Sequence, residues 1–197
     1  MPAPEREMIR AQGLAQRFGE RRVFSGLDVE LPDDGFLLVT GPNGSGKTSL
    51  LRILARLAAP IAGTLELPPR ETIGYLGHEP LVYRELTPLE NLTLFGRLYR
   101  IPERDARIGM LLERFGLWDV RHDRVSTFSR GMQQRLALCR VLLHQPSLLV
   151  LDEPTNALDA HGLELLDGLF DEPRAVVVAS HDAARFEPRA TTSLVLA

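Results

Sequence analysis

Three kinds of hydrophobic pattern share this chain, and their order predicts its architecture. Residues 8–14 and 23–31 alternate apolar and polar positions (Val23, Leu27, Val29, Leu31), the period of half-buried strands, and they read as a hairpin-like pair. Residues 36–40, 147–151 and 175–179 are short continuous apolar runs, the pattern of strands buried on both faces of a parallel sheet. Residues 64–67, 72–76 and 193–196 add shorter strand candidates. Helical spacing follows the run at 36–40 from Ser49 to Ala55 and recurs in Leu89, Leu92, Leu94, Phe95 and Leu98. It returns from Pro102 to Phe115, where Gly116 is the stop, through Gln133, Arg135, Leu138 and Val141, and in Leu163, Leu165, Leu166 and Leu169. Thr87-Pro88-Leu89-Glu90 is a helix start, with Thr87 as cap and Glu90 three residues on. Ser129 caps the helix that Pro146 ends, and Trp118 is expected to be a packing residue. Strands and helices alternate, so the fold class is α/β: a mostly parallel sheet, an antiparallel portion at the N-terminal side and a helical insertion.

Chemistry enters at the turn after residues 36–40. Gly41-Pro42-Asn43-Gly44-Ser45-Gly46-Lys47-Thr48 fits the phosphate-cradling pattern G-x-x-x-x-G-K-[ST]. Its glycines let the backbone come close to an anion, and its N–H groups line the start of the next helix, where Ser49 follows. Lys47 is expected to reach the β- and γ-phosphates, and Thr48 to hold Mg²⁺. Two further strand ends carry polar groups. The run at 147–151 ends in Asp152-Glu153, and the run at 175–179 ends in Ser180-His181-Asp182. Ligands of parallel α/β sheets bind at such edges. Asp152 is expected at the metal, Glu153 as acceptor of a proton from an attacking water, and His181 as a hydrogen-bond donor to the γ-phosphate or the water. A solvated turn and a structural histidine are the bland alternatives, and the phosphate loop weighs against both.

Composition narrows the partners. The 197 residues are 44% hydrophobic and 25% charged, enough for one globular domain with a substantial core. A net charge of −3 leaves no footprint of nucleic-acid binding. The single cysteine, Cys139, excludes an intrachain disulfide. Met1 to Arg6 lacks the apolar stretch of a signal peptide, and no apolar run has the length of a membrane span, so a membrane partner is expected to be a separate chain.

Further motifs carry a resemblance. Phe128-Ser129-Arg130-Gly131-Met132-Gln133-Gln134-Arg135 resembles the signature motif of ABC-type ATPases. Leu148 to Glu153, with Pro154-Thr155-Asn156-Ala157-Leu158-Asp159, looks like their Walker B segment and D-loop, Ser180-His181-Asp182 like their switch histidine. Phe18 falls where their adenine-stacking aromatic lies. The resemblance spans nearly the whole chain and implies the ABC ATPase fold, a phosphate-loop core at 1–77 and 146–197 with a helical subdomain at 78–145. It implies ATP and Mg²⁺ as cofactors, with Phe18, residues 41–49 and Lys47 on the nucleotide. It implies an ATP-dependent head-to-tail homodimer in which Ser129, Arg130, Gly131 and Gln133 face the other protomer's γ-phosphate, and hydrolysis that drives an integral membrane subunit. A phosphotransferase for small molecules would need neither the signature helix nor Glu153, and a soluble ABC protein would usually carry two cassettes or a long coiled-coil insertion.

Three departures from that pattern stand out. The signature usually reads Leu-Ser-Gly-Gly-Gln, and here Arg130 and Met132 intervene around the retained Ser129 and Gly131. The loop into the helical insert usually carries glutamine, and here His78 stands in Gly77-His78-Glu79-Pro80, making His78 a candidate contact to Mg²⁺. The sequence ends soon after His181, so no C-terminal regulatory domain is expected. Together the histidine, the Ser-Arg-Gly-Met form and the short cassette resemble the ATP-binding subunit of the bacterial haem exporter of cytochrome c maturation. That resemblance implies a peripheral position at the cytoplasmic face of the inner membrane. An exporter of another small molecule, such as a drug or lipid, is the alternative.

Overall fold

The structure, a computed structural model, describes residues 7–197 apart from the side chains of Glu7 and Phe18. The expectation that residues 1–6 form no leader and the assignment of the Phe18 ring therefore lie outside the described residues.

Two compact units emerge. One comprises residues 1–75, 147–154 and 173–197, and the other residues 76–146 and 155–172. The first unit contains two sheets. The antiparallel sheet has the order β2-β1-β4, from β1 (Glu7–Phe18), β2 (Arg21–Pro32) and β4 (Ala62–Glu66). Its β1–β2 pair runs from Glu7↔Pro32 to Phe18↔Arg21, so the alternating segments pair as the spacing predicts. The second sheet has the order β5-β6-β7-β3-β8, from β3 (Phe36–Thr40), β5 (Ile73–Leu76), β6 (Leu148–Asp152), β7 (Ala175–Ala179) and β8 (Thr192–Val195). β6–β7, β7–β3 and β3–β8 are parallel. Every residue of β6 and β7 is buried, which is why those strands are unbroken apolar runs rather than alternating ones.

Between the sheets, α1 (Lys47–Leu54) contributes Leu50, Leu51, Ile53 and Leu54 to one core with Ile9, Leu31, Val39, Val150 and Val177. Fully burying a side chain of this size contributes roughly 1.5–3 kcal/mol, so this core is what holds the loop before α1 in place.

The strand order positions the chemistry. β6, β7 and β3 are consecutive neighbours, and in register Asp152 lies opposite Ala179, and Ala179 opposite Val39. The residues just past this row are Glu153, Ser180-His181 and the Thr40–Gly41 start of the glycine loop. Three segments far apart in sequence thus end side by side because their apolar runs pair in one register.

The second unit is helical, with α2 (Pro88–Leu98), α3 (Arg104–Arg114), α4 (Arg130–Leu142) and α5 (Ala160–Phe170). The α2 start is a capping box: Glu90 N donates to Thr87 Oγ1 at 3.2 Å, and Thr87 N donates to Glu90 Oε2 at 2.9 Å. Such a cap contributes about 1 kcal/mol. α3 begins after Glu103, whose backbone is left-handed at φ 51, and it has no side-chain cap. Gly116, at φ +63, follows the helix as expected of a C-terminal glycine. Trp118 packs in part: its Cζ3 lies 3.6 Å from where a Cβ on Gly109 of α3 would be, the Arg121 guanidinium stacks 4.1 Å from its ring centre, and the residue stays 38% exposed. Cation–π stacking lets a large ring stay at the surface with one face covered. Cys139 is fully buried in α4, and burial pushes its thiol well above the ordinary range, which removes it as a nucleophile.

Candidate nucleotide site

The glycine loop has the backbone that anion binding requires. Gly41, Gly44 and Gly46 all have positive φ, at 143°, 81° and 103°. A Cβ on Gly41 would collide with the Leu196 carbonyl, and one on Gly46 with Val23 Cγ1. These two positions are closed to any side chain by neighbouring strands as well as by their dihedrals. Ser45 Oγ is buried and makes no hydrogen bond among the described residues, an orphaned polar atom inside the loop. Such a group normally has a partner, and a bound anion or water would supply it. Lys47 is only 7% exposed, and its Nζ donates to Gly41 O at 2.7 Å and Pro42 O at 3.1 Å. An ammonium has three N–H donors, so one remains for a ligand.

Thr48, one residue on, joins the loop to β6. Its Oγ1 donates to Asp152 Oδ2 at 2.7 Å across 104 residues of sequence. A hydroxyl and a carboxylate held together beside a phosphate loop form the hard-oxygen donor set that suits Mg²⁺. No group of three or more His, Cys, Asp or Glu capable of holding a metal occurs among the described residues, so a metal here would need ligand oxygens to complete its shell.

Glu153 is the next feature. It is buried, and its backbone is left-handed at φ 50, a conformation that costs a non-glycine residue of order 1 kcal/mol or more. Three contacts hold it there. Glu153 N donates to Ala179 O at 2.8 Å, His181 N donates to Glu153 Oε2 at 3.3 Å, and His181 Nε2 lies 3.2 Å from Glu153 Oε1. Glu153 Oε1 itself is buried without a well-aligned hydrogen bond. The His181 ring is half exposed. The site thus joins a buried carboxylate to an accessible imidazole, an arrangement that can take a proton from a bound water and orient it.

This direct contact is not legible in the spacing, because strand ends identify neighbours but not the turn that swings Glu153 back toward His181. Tyr75 and Arg52 are likewise unmarked in the sequence. Tyr75 lies near Arg52, and burial, followed by the nearby Asp152 charge, raises its phenol pKa. A lone strand tyrosine carries no sequence signal of that kind.

The remaining candidates lie in the helical unit. Ser129 caps α4, its Oγ accepting from Met132 N at 3.2 Å, and Gln133 Nε2 donates to Phe128 O at 3.0 Å. Ser129 and Arg130 are exposed. A Cβ on Gly131 would lie 2.9 Å from Ala157 O, so close approach of the segment before α5 requires glycine there. Asp159 caps α5 by accepting from Gly162 N at 2.8 Å, and that hydrogen bond lowers its pKa. His78 is exposed.

A parallel sheet flanked by an antiparallel one, with a glycine loop, a hydroxyl–carboxylate pair and a glutamate–histidine pair along one edge, defines a phosphate-loop nucleotide-binding protein. The ABC transporter family profile matches residues 24–156, and the chain belongs to that family, whose ATP-binding subunits hydrolyse ATP to power transport. A solved structure of the ATP-binding subunit of an ABC transporter superposes with a TM-score of 0.85 over 96% of this chain and 85% of that one, at 22% identity, which shows a shared fold.

Among curated relatives, a daunorubicin resistance ATP-binding protein of Streptomyces coeruleorubidus is 39% identical over 78% of this chain and 52% of its own length. An ABC transporter ATP-binding protein of Bacillus subtilis is 36% identical over 88% of this chain and 62% of its own. The chain therefore spans little more than half the length of some relatives. A cytochrome c biogenesis ATP-binding export protein of Rhizobium meliloti is 37% identical over 90% of this chain and 93% of its own. No helix among the described residues is long and apolar enough to cross a membrane.

Proposed function

We propose that this chain is the ATP-hydrolysing subunit of an ABC transporter and energises a separate integral membrane subunit, in haem export for cytochrome c biogenesis. The observation that carries hydrolysis is the edge where Thr48 meets Asp152 and Glu153 meets His181, beside the glycine loop. In this reading the N–H groups of the loop and the free donor of Lys47 bind the β- and γ-phosphates. Residues 41–49 hold the polyphosphate and Phe18 stacks on the base. Thr48 and Asp152 hold Mg²⁺, which neutralises charge developing on the phosphoryl group. Glu153 accepts the proton of the attacking water, and His181, in contact with that carboxylate, orients the water and donates toward the γ-phosphate.

Ser129, Arg130, Gly131 and Gln133 complete the site from a second protomer, in a head-to-tail homodimer, with Asp159 at the junction. Support comes from the exposed, capped start of α4, whose N–H groups suit an anion. Mixing Lys47→Ala chains with Ser129→Arg chains then gives dimers with one intact and one doubly damaged site. Activity above either parent is expected. Its absence at every mixing ratio would argue against sites shared between protomers.

The transport assignment rests on the near full-length match to the Rhizobium meliloti protein and on Gly77-His78-Glu79-Pro80 at the glutamine position. It places the chain peripherally at the cytoplasmic face of the inner membrane. The daunorubicin resistance relative favours a second reading, an exporter of another small molecule. Co-purification of the untagged membrane subunit from the native host, with restoration of holocytochrome c in a deletion strain, tests the first. Restored drug efflux without cytochrome c would select the second.

His78 is assigned to coupling, with metal contact as the alternative role. His78→Ala should keep most of the isolated ATPase activity and lose stimulation by the reconstituted membrane subunit. If it abolishes the isolated activity, His78 belongs with the chemistry.

A further inference from the structure

The phosphate loop carries one cation, Lys47, and the structure supplies a second from outside the motif. β2 passes along the loop: Val23 and Phe24 pack where a side chain on Gly46 would be, the Phe24 ring within 3.2 Å of that point. Near the start of the same strand, Arg21 Nη2 lies 3.8 Å from the Cβ position of Gly44. Its guanidinium therefore rests against the loop that surrounds the phosphates. Arg21 is exposed, and no carboxylate among the described residues is paired with it. Elsewhere on the same sheet an arginine does find one, as Arg10 does in Glu30.

The hairpin end has further positive charge, since Arg17 and Arg22 are directly opposite in the β1–β2 register. Successive residues of a strand point to opposite faces, so Arg22 does not share the face of Arg21 that meets the loop.

From this placement we infer that Arg21 is a nucleotide-binding residue, clamping the polyphosphate of ATP from the β2 side of the loop while Lys47 holds it from within. The inference rests on the nucleotide reading of the glycine loop. A guanidinium offers five donors in a rigid fork that matches phosphate oxygens, and it is always charged, so its contact is available at any physiological pH. Packing of Val23 and Phe24 against Gly46 fixes β2 on the loop, and that sets where Arg21 can reach. The clamp acts on phosphates and not on the base, so its contribution scales with the number of phosphates and is weakened by salt.

Binding of ATP, ADP and adenosine to the purified chain tests this, in wild type, Arg21→Ala, Arg21→Lys, Arg22→Ala and Lys47→Ala. Arg22→Ala removes the same charge one residue away. For Arg21→Ala the dissociation constant for ATP should rise about 3–10-fold, the scale of an exposed charge-assisted contact, with a smaller rise for ADP and none for adenosine. The KM for ATP should rise by a larger factor than kcat falls. Arg21→Lys should recover part of the affinity, and Arg22→Ala should bind ATP as wild type does. Unchanged ATP binding in Arg21→Ala, or equal weakening of ATP and adenosine, overturns the clamp. If Lys47→Ala loses ATP and Arg21→Ala does not, the clamp alone fails. If Lys47→Ala also binds ATP normally, the nucleotide reading of the loop fails with it.

Discussion

Lys47→Ala is expected to weaken ATP binding by about 10²-fold or more, because several charge-assisted contacts are lost together. The side chain does two jobs. It braces the loop by donating to Gly41 O and Pro42 O, and it carries positive charge in a nearly buried position where that charge is weakly screened. Alanine removes both, leaving two carbonyls without their donor and the phosphates without a counter-charge. Lys47→Met separates the two contributions from simple loss of bulk, since it keeps an unbranched stem. Equilibrium binding of labelled ATP measures the effect, and a thermal melt of each variant checks that the sheet and α1 remain folded. Wild-type affinity in both variants would mean that the phosphates bind elsewhere.

The other large effect concerns Glu153. Glu153→Gln keeps the shape and the capacity to accept the His181 N–H, now through the amide oxygen, and removes the base. Turnover should fall by roughly 10²–10⁴, the usual contribution of a general base. ATP binding should survive, because Lys47, Thr48 and the loop N–H groups are untouched. The expected signature is accumulation of an ATP-bound dimer, visible by light scattering, with little phosphate released. Comparable turnover in Glu153→Gln and wild type would assign the proton to another group. His181 would be next, being in direct contact with the carboxylate.

The parts of this site written in short local patterns were legible. The glycine loop, the unbroken runs that became β3, β6 and β7, and the polar residues at their ends are each fixed by near neighbours. A parallel sheet then brings its strand ends together whichever helices connect them. Less accessible was everything set by the sign of one dihedral or by long-range closure. Glu153 has a left-handed backbone because the turn after β6 must bring its carboxylate to His181, and no local pattern of residues 152–154 announces it. Gly131 read as an anion-binding glycine, whereas the structure adds a packing reason, the Ala157 carbonyl.

Helical periodicity correctly marked α5 but could not indicate that residues 155–172 group with the helical unit, since that depends on contacts with segments far away. Trp118 packs less fully than its ring size suggests. Its ring meets α3 at Gly109, Arg121 stacks on it, and the rest stays at the surface.

Hydrolysis itself is measured as release of inorganic phosphate from ATP by the purified chain, with Mg²⁺ and with excess chelator. Release should be sustained with Mg²⁺, absent when the metal is withheld from Thr48 and Asp152, and absent from Lys47→Ala under either condition. ATP that binds without any phosphate release in the presence of Mg²⁺, or release from Lys47→Ala at the wild-type rate, would contradict hydrolysis at this site.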